Sequence, residues 1–516
     1  MTADHPCLDC DAPPDPSDTA PDPSDTAPDP SDTAPDRSAA ASDSSATALN
    51  PPATASDPSE DPPAPPRLWS TRTAPFIAGA FLLMTFIAVE AFAVTTVLPG
   101  AMAELDAEGW YSLAFAATIS TSLVGMVVGG NWSDRSGPRP PLAVGGGLFL
   151  IGLALCVLAP GAATFIAGRL LQGIGGGIVS VVLYVLIARI IPAPARPAMF
   201  GLLTTAWLVP SMAGPVVAGA LAQLLTWRAV FAMILVGSGL ALLVLLRVAR
   251  AGGGALQPSV RGGAIVGRTG RLSLLAAGVL VLLHLGAQSG GLRALLLVGA
   301  GLAALALVAR TLLPPGTLRL RGAAQRLVAL RAGFGVSSAV PDVYLTLYLQ
   351  SERGLSPTAA GLVLAVGALG WASGSFVQTR RPSTPAEHRL LIVLAAPLVA
   401  AAPVGALMLV AGLVPVPLVV LTALLKGVGM GIASARVATA TLDLAPPAEQ
   451  GGYSSALQSG EAMAVAASTA VMAVVLSVLG ADGGGFVGVY LLLTAVAVGT
   501  LLVAVRTPRS VAVSAT

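Results

Sequence analysis

From Phe76 onward the chain is a succession of fourteen apolar runs, each long enough as a helix to cross a hydrocarbon layer about 30 Å thick. In lipid the backbone must satisfy its own hydrogen bonds, so runs of this length can only be helices. With 54% hydrophobic and only 10% charged residues, the expected fold is an all-α polytopic membrane protein. The seventh and eighth runs, 272–290 and 292–313, are the least sharply divided, because only Ser289-Gly290-Gly291-Leu292-Arg293 separates them.

The few charges organise the rest. Residues 1–66 hold 14 of the 26 acids and a single base, Arg37, leaving 27 bases against 12 acids in the remainder. Within that segment Asp-Pro-Ser-Asp-Thr-Ala-Pro occurs three times over 15–35. Such a sequence cannot bury enough apolar surface to offset its ordering entropy, so 1–70 is expected to be a disordered acidic tail. It lacks the basic start and apolar core of a signal peptide, which makes the first membrane helix an uncleaved anchor.

Loop arginines then set the orientation. Arg67 and Arg72, Arg135 and Arg139, Arg189 and Arg196, Arg247 through Arg271, Arg310 through Arg326, Arg380 through Arg389, and Arg506 with Arg509 fall on one side. The opposite loops are acidic (Glu104, Asp106, Glu108, Asp482) or nearly uncharged, with Arg228, Arg293 and Arg353 as exceptions. The positive-inside rule places the arginine-rich side, and both termini, in the cytoplasm. An even number of spans follows.

The chain also repeats itself. Leu170-Leu171-Gln172-Gly173-Ile174-Gly175-Gly176-Gly177-Ile178 returns as Leu424-Leu425-Lys426-Gly427-Val428-Gly429-Met430-Gly431-Ile432. Two parallel halves of six helices with a helix pair between them explain the repeat, as in secondary transporters. The expected division is a tail over 1–70, a first six-helix bundle over 71–250, a linker with two extra helices over 251–325, a second bundle over 326–508 and a short cytoplasmic tail over 509–516.

Four local patterns carry a family resemblance. Between the second and third runs stands Gly130-Asn131-Trp132-Ser133-Asp134-Arg135-Ser136-Gly137-Pro138-Arg139, whose charges must lie where two helices meet water. The fourth run opens Arg169-Leu170-Leu171-Gln172-Gly173, and Arg169, Gln172, Gly173, Gly176 and Ser180 share one helix face. The fifth carries Gly214-Pro215 with Gly219, followed by Trp227-Arg228, and the first ends Glu90-Ala91-Phe92-Ala93-Val94-Thr95-Thr96-Val97-Leu98-Pro99. Over roughly 70–510 the chain resembles the major facilitator superfamily, in particular its fourteen-span drug:proton antiporters.

The loop resembles G-x-L-A-D-R-x-G-R-R/K, with Trp132 and Pro138 departing from it. The fourth run resembles R-x-x-Q-G, and the fifth a degraded G-x-x-x-G-P-x-x-G-G with Pro210 and Ala218 where glycines are usual. The resemblance implies two pseudo-symmetric six-helix bundles whose first and fourth helices line a central cavity. It also implies helix packing at Gly173, Gly214, Pro215 and Gly219.

On that frame each cavity helix carries one deep charge: Glu90, Arg169, Asp342 and Lys426, with Gln172 beside Arg169. Two readings stay open. Glu90–Arg169 and Asp342–Lys426 are static ion pairs, or at least one acid takes up and releases a proton. Glu90 is the favoured carrier, with Asp342 and Glu461 next; Ser454, Gln458, Glu461 and Ser468 make a polar stripe on the thirteenth run. Arg436 is expected to snorkel to the interface, and His284 to make an incidental polar contact. Gly130, Asp134, Arg135, Gly137 and Arg139 read as a gating loop, in which Asp134 accepts bonds at the start of the third helix or from an arginine elsewhere. The matching loop of the second half, Gly374 through Arg381, has Gln378 in place of the acid.

Several classes are excluded. Lys426, the only lysine, is followed by Gly427 within an apolar run, so there is no phosphate-cradling Gly-Lys-Ser/Thr and the chain is not its own ATPase. His5, Cys7 and Cys10 form an isolated cluster in the tail, too weak a pattern for a metal site. No catalytic set with enzyme spacing is present. The expected function is export of small amphipathic compounds by a monomeric, multi-pass plasma-membrane (inner-membrane) antiporter. It would need a proton gradient, a small-molecule substrate and the bilayer, but no cofactor, ATPase subunit or nucleic acid. Import by symport on the same fold is the alternative.

Overall fold

The protein is described from a computed structural model that covers residues 73–192, 195–251, 265–382, 384–446, 449–480 and 483–507. The expected tails, the His5, Cys7 and Cys10 cluster and Asp482 lie outside the described residues. Within them the chain is helical with no strand, from α1 (Ala74–Glu104), α2 (Tyr111–Ser136), α3 (Arg139–Val157), α4 (Ala162–Ile190), α5 (Arg196–Leu224) and α6 (Trp227–Ala251) through α7 (Arg268–Ala287) and α8 (Gly291–Leu312). The second set comprises α9 (Ala323–Ser351), α10 (Pro357–Thr379), α11 (Pro385–Val410), α12 (Val416–Leu444), α13 (Gln450–Leu479) and α14 (Gly483–Val505).

Thirteen of these are long and apolar enough to cross a membrane. The exception is α9, long enough at 29 residues but made more polar by Arg326, Arg331, Asp342 and its hydroxyl-bearing side chains. Two helices outrun their apolar stretches. Pro99 does not stop α1, which continues to Glu104, because a membrane helix tolerates a proline where neighbouring groups re-satisfy the freed carbonyl. Likewise α12 passes Arg436 and runs to Leu444.

Contacts repeat from half to half with an eight-helix offset. In the first half α4 packs on α2 and α3, and α1 on α5 and α6; in the second, α12 packs on α10 and α11, and α9 on α13 and α14. The duplicated glycines explain the close approaches. A Cβ on Gly173 would lie 2.4 Å from Thr118 O and one on Gly177 2.2 Å from Ser122 O, both on α2. In the repeat, a Cβ on Gly427 would lie 1.9 Å from Gly367 O and one on Gly431 2.2 Å from Trp371 O, both on α10. Gly175 and Gly429 turn instead to α3 and α11. Gly176 only touches the Phe149 ring at 3.6 Å, so the packing stripe runs through Gly173 and Gly177 and not, as the sequence pattern suggests, through Gly176.

The halves meet through α5 against α10 and, in the symmetric position, α2 against α13. The extra pair sits outside them, with α7 against α2 and α13, and α8 against α7 and α13.

Candidate functional site

Where α1, α2, α5, α9, α10, α12 and α13 converge, a cavity of about 290 Å³ opens between the halves. Its walls include Phe92, Phe115, Trp207 and Trp371, and its charged groups are Asp342, Lys426 and Glu461. Lys426 Nζ lies 2.7 Å from Asp342 Oδ1 and also contacts Oδ2. The lysine side chain is 7% exposed and the aspartate 28%, so the carboxylate faces the lumen with the ammonium behind it. Pro341, inside α9, precedes Asp342. Two tyrosine hydroxyls brace this segment: Tyr490 donates to Pro341 O at 3.2 Å and Tyr111 to Val343 O at 2.8 Å.

Glu461 reaches the cavity from α13 and accepts a bond from Arg331 Nε at 2.7 Å. Gly335 makes this possible, since a Cβ there would sit 2.6 Å from Glu461 Cγ. Arg331 is the residue that sequence reading misses. It lies early in α9, near the arginine-rich end, and in sequence resembles any flanking arginine.

Glu90, Arg169 and Gln172 come together elsewhere. Arg169 Nη1 binds Glu90 Oε1 and, at 3.0 Å, Gln172 Oε1, while its Nε donates to Ala114 O at 3.0 Å. All three are buried, at 6%, 3% and 0% exposure. The cavity wall on α1 is formed by Ala91, Phe92 and Thr95, and none of the three polar residues belongs to it. Pairing therefore follows the expected symmetry, but cavity access does not: the second half presents its pair to the lumen and the first half encloses its own.

The sequence profile of the Major Facilitator Superfamily matches residues 77–469. The chain belongs to that superfamily. A probable multidrug-efflux transporter of Mycobacterium tuberculosis is 27% identical over 442 residues, covering 82% of this chain and 89% of that protein. An efflux transporter of Aspergillus oryzae is 34% identical over 155 residues, 30% of this chain and 28% of that one. Among solved structures, the peptide transporter POT in complex with sulfate superposes with a TM-score of 0.63 at 16% identity, over 84% of this chain and 95% of that one. A human organic anion transporter gives 0.55 at 17%, over 84% and 100%. At such identities the structures speak to the fold alone. The chain is thus a multi-pass membrane transporter of this superfamily, not an enzyme, with multidrug-efflux relatives.

The loop between α2 and α3, expected from the sequence to act as a gate, is a tight turn. Gly137, at φ 77°, ends α2 in a conformation that side chains disfavour. Asp134, Arg135 and Arg139 are exposed, and Asp134 has no ion-pair or hydrogen-bond partner among the described residues. It does not bond to the start of α3, where Pro138, Pro140 and Pro141 remove N–H donors and no side chain caps the helix. Gly130 is loosely surrounded, since a Cβ there would lie 3.7 Å from Val181, whereas one on Gly129 would meet the Ile178 backbone at 2.9 Å. On α5, Gly219 and Pro215 pack against α10 at Thr358 and Gly361, but a Cβ on Gly214 would meet only Phe92, at 3.8 Å.

Arg436 does not snorkel. It is 3% exposed and donates to the carbonyls of Gln378, Arg381 and Pro382, the last two at 2.8 and 2.7 Å. It thereby caps the end of α10, where unsatisfied carbonyls gather. His284 is fully buried and bridges Leu280 O at 2.8 Å and Thr469 Oγ1 of α13 at 3.2 Å, tying the extra pair to the second half.

Two of the arginines on the acid-rich face are held by local acceptors. Arg228 pairs with Glu104, and Arg353 bonds the Tyr348 hydroxyl at 2.9 Å and Leu409 O at 3.2 Å. That same face is stitched across the halves. Besides Tyr111 to Val343, Gln350 Nε2 donates to Thr96 O and Thr358 Oγ1 to Gln223 Oε1, each at 2.8 Å. From Asp342 the cavity also runs the other way, toward Gly335 and Glu461, that is, toward the N-terminal ends of α9 and α13.

Proposed function

We propose that the chain is a proton-coupled exporter of small amphipathic compounds that works by alternating access. The observation that carries this reading is the central cavity, where aromatic walls surround the Asp342–Lys426 pair and Glu461, with the Asp342 carboxylate turned to the lumen. The multidrug-efflux relative that aligns over 82% of the chain supports the direction of transport. Positive-inside orientation makes the arginine-rich face cytoplasmic, with both termini there, in the plasma membrane. The cavity then faces inward and the Tyr111, Gln350 and Thr358 bonds form the closed outer gate.

Coupling follows from the pairs. A base left without its carboxylate in a poorly hydrated site is costly, so protonating Asp342 forces Lys426 to find water or another partner. Any state that supplies one is favoured by the proton, and the equilibrium between inward and outward forms shifts accordingly. Asp342 and Glu461, both on the cavity, are the proposed carriers; Glu90–Arg169 is proposed as a structural pair. The proton gradient is the energy source, with no cofactor or ATPase subunit, and the working unit is the monomer.

The test is uptake of ethidium into inverted membrane vesicles. Uptake should require an inside-acid pH gradient, and Asp342→Asn should abolish it while leaving downhill ethidium exchange intact. Symport on the same fold is the competing reading, since the superposed peptide transporter shares the architecture. It calls for substrate and proton to move together, with gradient-driven accumulation in right-side-out vesicles instead. That result, or export by Asp342→Asn at the wild-type rate, refutes the proposal.

A further inference from the structure

The turn between α8 and α9 borders a second pocket, of about 590 Å³, lined by Arg310, Arg319 and Arg321 together with the Pro314–Leu318 segment. All three arginines are exposed, and none has an acidic partner among the described residues. Three like charges around one pocket repel unless an anion joins them.

The turn is built to hold them there. Gly316 O accepts from the N–H groups of both Arg319 and Arg321, at 3.1 and 3.0 Å. Buried Thr317 bonds Pro314 O at 2.7 Å, and Arg326 Nε bonds Leu320 O at 2.9 Å. Leu320 is fixed at φ 54°, a strained conformation for a branched side chain, which persists only where surroundings over-determine it.

The setting selects the anion. The pocket lies on the arginine-rich face at the end of α8, the least buried of the apolar spans, whose Leu296 and Leu307 are more than half exposed. In the turn itself Leu318 and Leu320, 50% and 37% exposed, alternate with Arg319 and Arg321. Basic groups interleaved with outward leucines beside a lipid-facing helix match a phosphate that arrives with acyl chains attached. We propose that this pocket binds the phosphate headgroup of an anionic phospholipid. A soluble phosphate shares the headgroup chemistry but leaves the exposed leucines without an occupant.

Native mass spectrometry of the purified full chain titrated with phosphatidylglycerol tests the proposal. An arginine at an anionic surface contributes roughly fivefold in affinity. The triple variant Arg310→Gln/Arg319→Gln/Arg321→Gln should therefore bind phosphatidylglycerol about a hundredfold more weakly, with phosphatidylcholine binding unchanged. The control triple Arg247→Gln/Arg271→Gln/Arg380→Gln, on the same face, should retain the site. If the first triple cannot be purified folded, Arg319→Gln and Arg321→Gln alone should each weaken binding by roughly fivefold. Unchanged phosphatidylglycerol affinity in the pocket variants, an equal loss in the control, or displacement of the lipid by inorganic phosphate at matched concentration overturns it.

Discussion

Replacing Glu90 by Gln separates a structural pair from a proton carrier. The substitution leaves the Arg169 guanidinium at 3% exposure without its counter-charge. Removing one member of a buried pair costs about 3–5 kcal/mol. Arg169 keeps its bonds to Ala114 O and Gln172 Oε1, and the new amide can still accept, so the lower end, about 3 kcal/mol, is expected. That lowers the ratio of folded to unfolded protein by roughly two orders of magnitude. The measurement is the tryptophan-fluorescence unfolding midpoint of the purified protein in detergent, which should fall clearly for Glu90→Gln. Replacing both partners, as in Glu90→Leu/Arg169→Met, should recover most of the loss, because an apolar pair of similar volume carries no desolvation cost. Asp342→Asn should move the midpoint less, since its carboxylate is 28% exposed on the cavity, whereas Glu90 is enclosed. A Glu90→Gln protein with the wild-type midpoint but no pH-driven export refutes this reasoning and makes Glu90 the carrier.

Three further outcomes are expected. Gly173→Ala and Gly427→Ala should sharply reduce the yield of folded protein, because each new methyl meets backbone oxygen of a neighbouring helix at 2.4 and 1.9 Å, whereas Gly214→Ala, with its nearest neighbour at 3.8 Å, should express normally. Arg436→Met should lower the unfolding midpoint by the equivalent of about 1–3 kcal/mol, since carbonyls at the end of α10 lose their donor; an unchanged midpoint removes the capping role. In intact cells, impermeant thiol reagents should label Asp106→Cys and not Ser136→Cys, both exposed positions, and the reverse pattern inverts the proposed orientation.

Much of the architecture is legible in the chain itself. Apolar runs set the number of helices and, apart from the C-terminal ends of α1 and α12, their bounds to within a few residues, since span length is fixed by bilayer thickness and helical rise. The duplicated Gly173–Gly177 and Gly427–Gly431 segments reveal the internal repeat, because only glycine admits backbone at those separations. Deep charges are equally visible: Glu90, Arg169, Asp342 and Lys426 stand out in apolar sequence, and each finds its partner within its own half.

What the sequence leaves undecided is which way each helix is turned. In a soluble helix the buried face is marked by alternating polarity, but a membrane helix is apolar toward lipid and apolar toward its neighbours. Nothing in the order of residues along α1 therefore tells that Phe92 and Thr95 reach the lumen while Glu90 is enclosed. The same ambiguity hides the Arg331–Glu461 pair, whose members are 130 residues apart and meet only because α9 packs on α13. It also disguises Arg436, which reads as an interfacial charge until the end of α10 and the turn after it supply three carbonyls to it. Length, hydropathy and repeat were written in the chain; the rotation of each helix, and so the identity of the charges facing the cavity, was decided by packing.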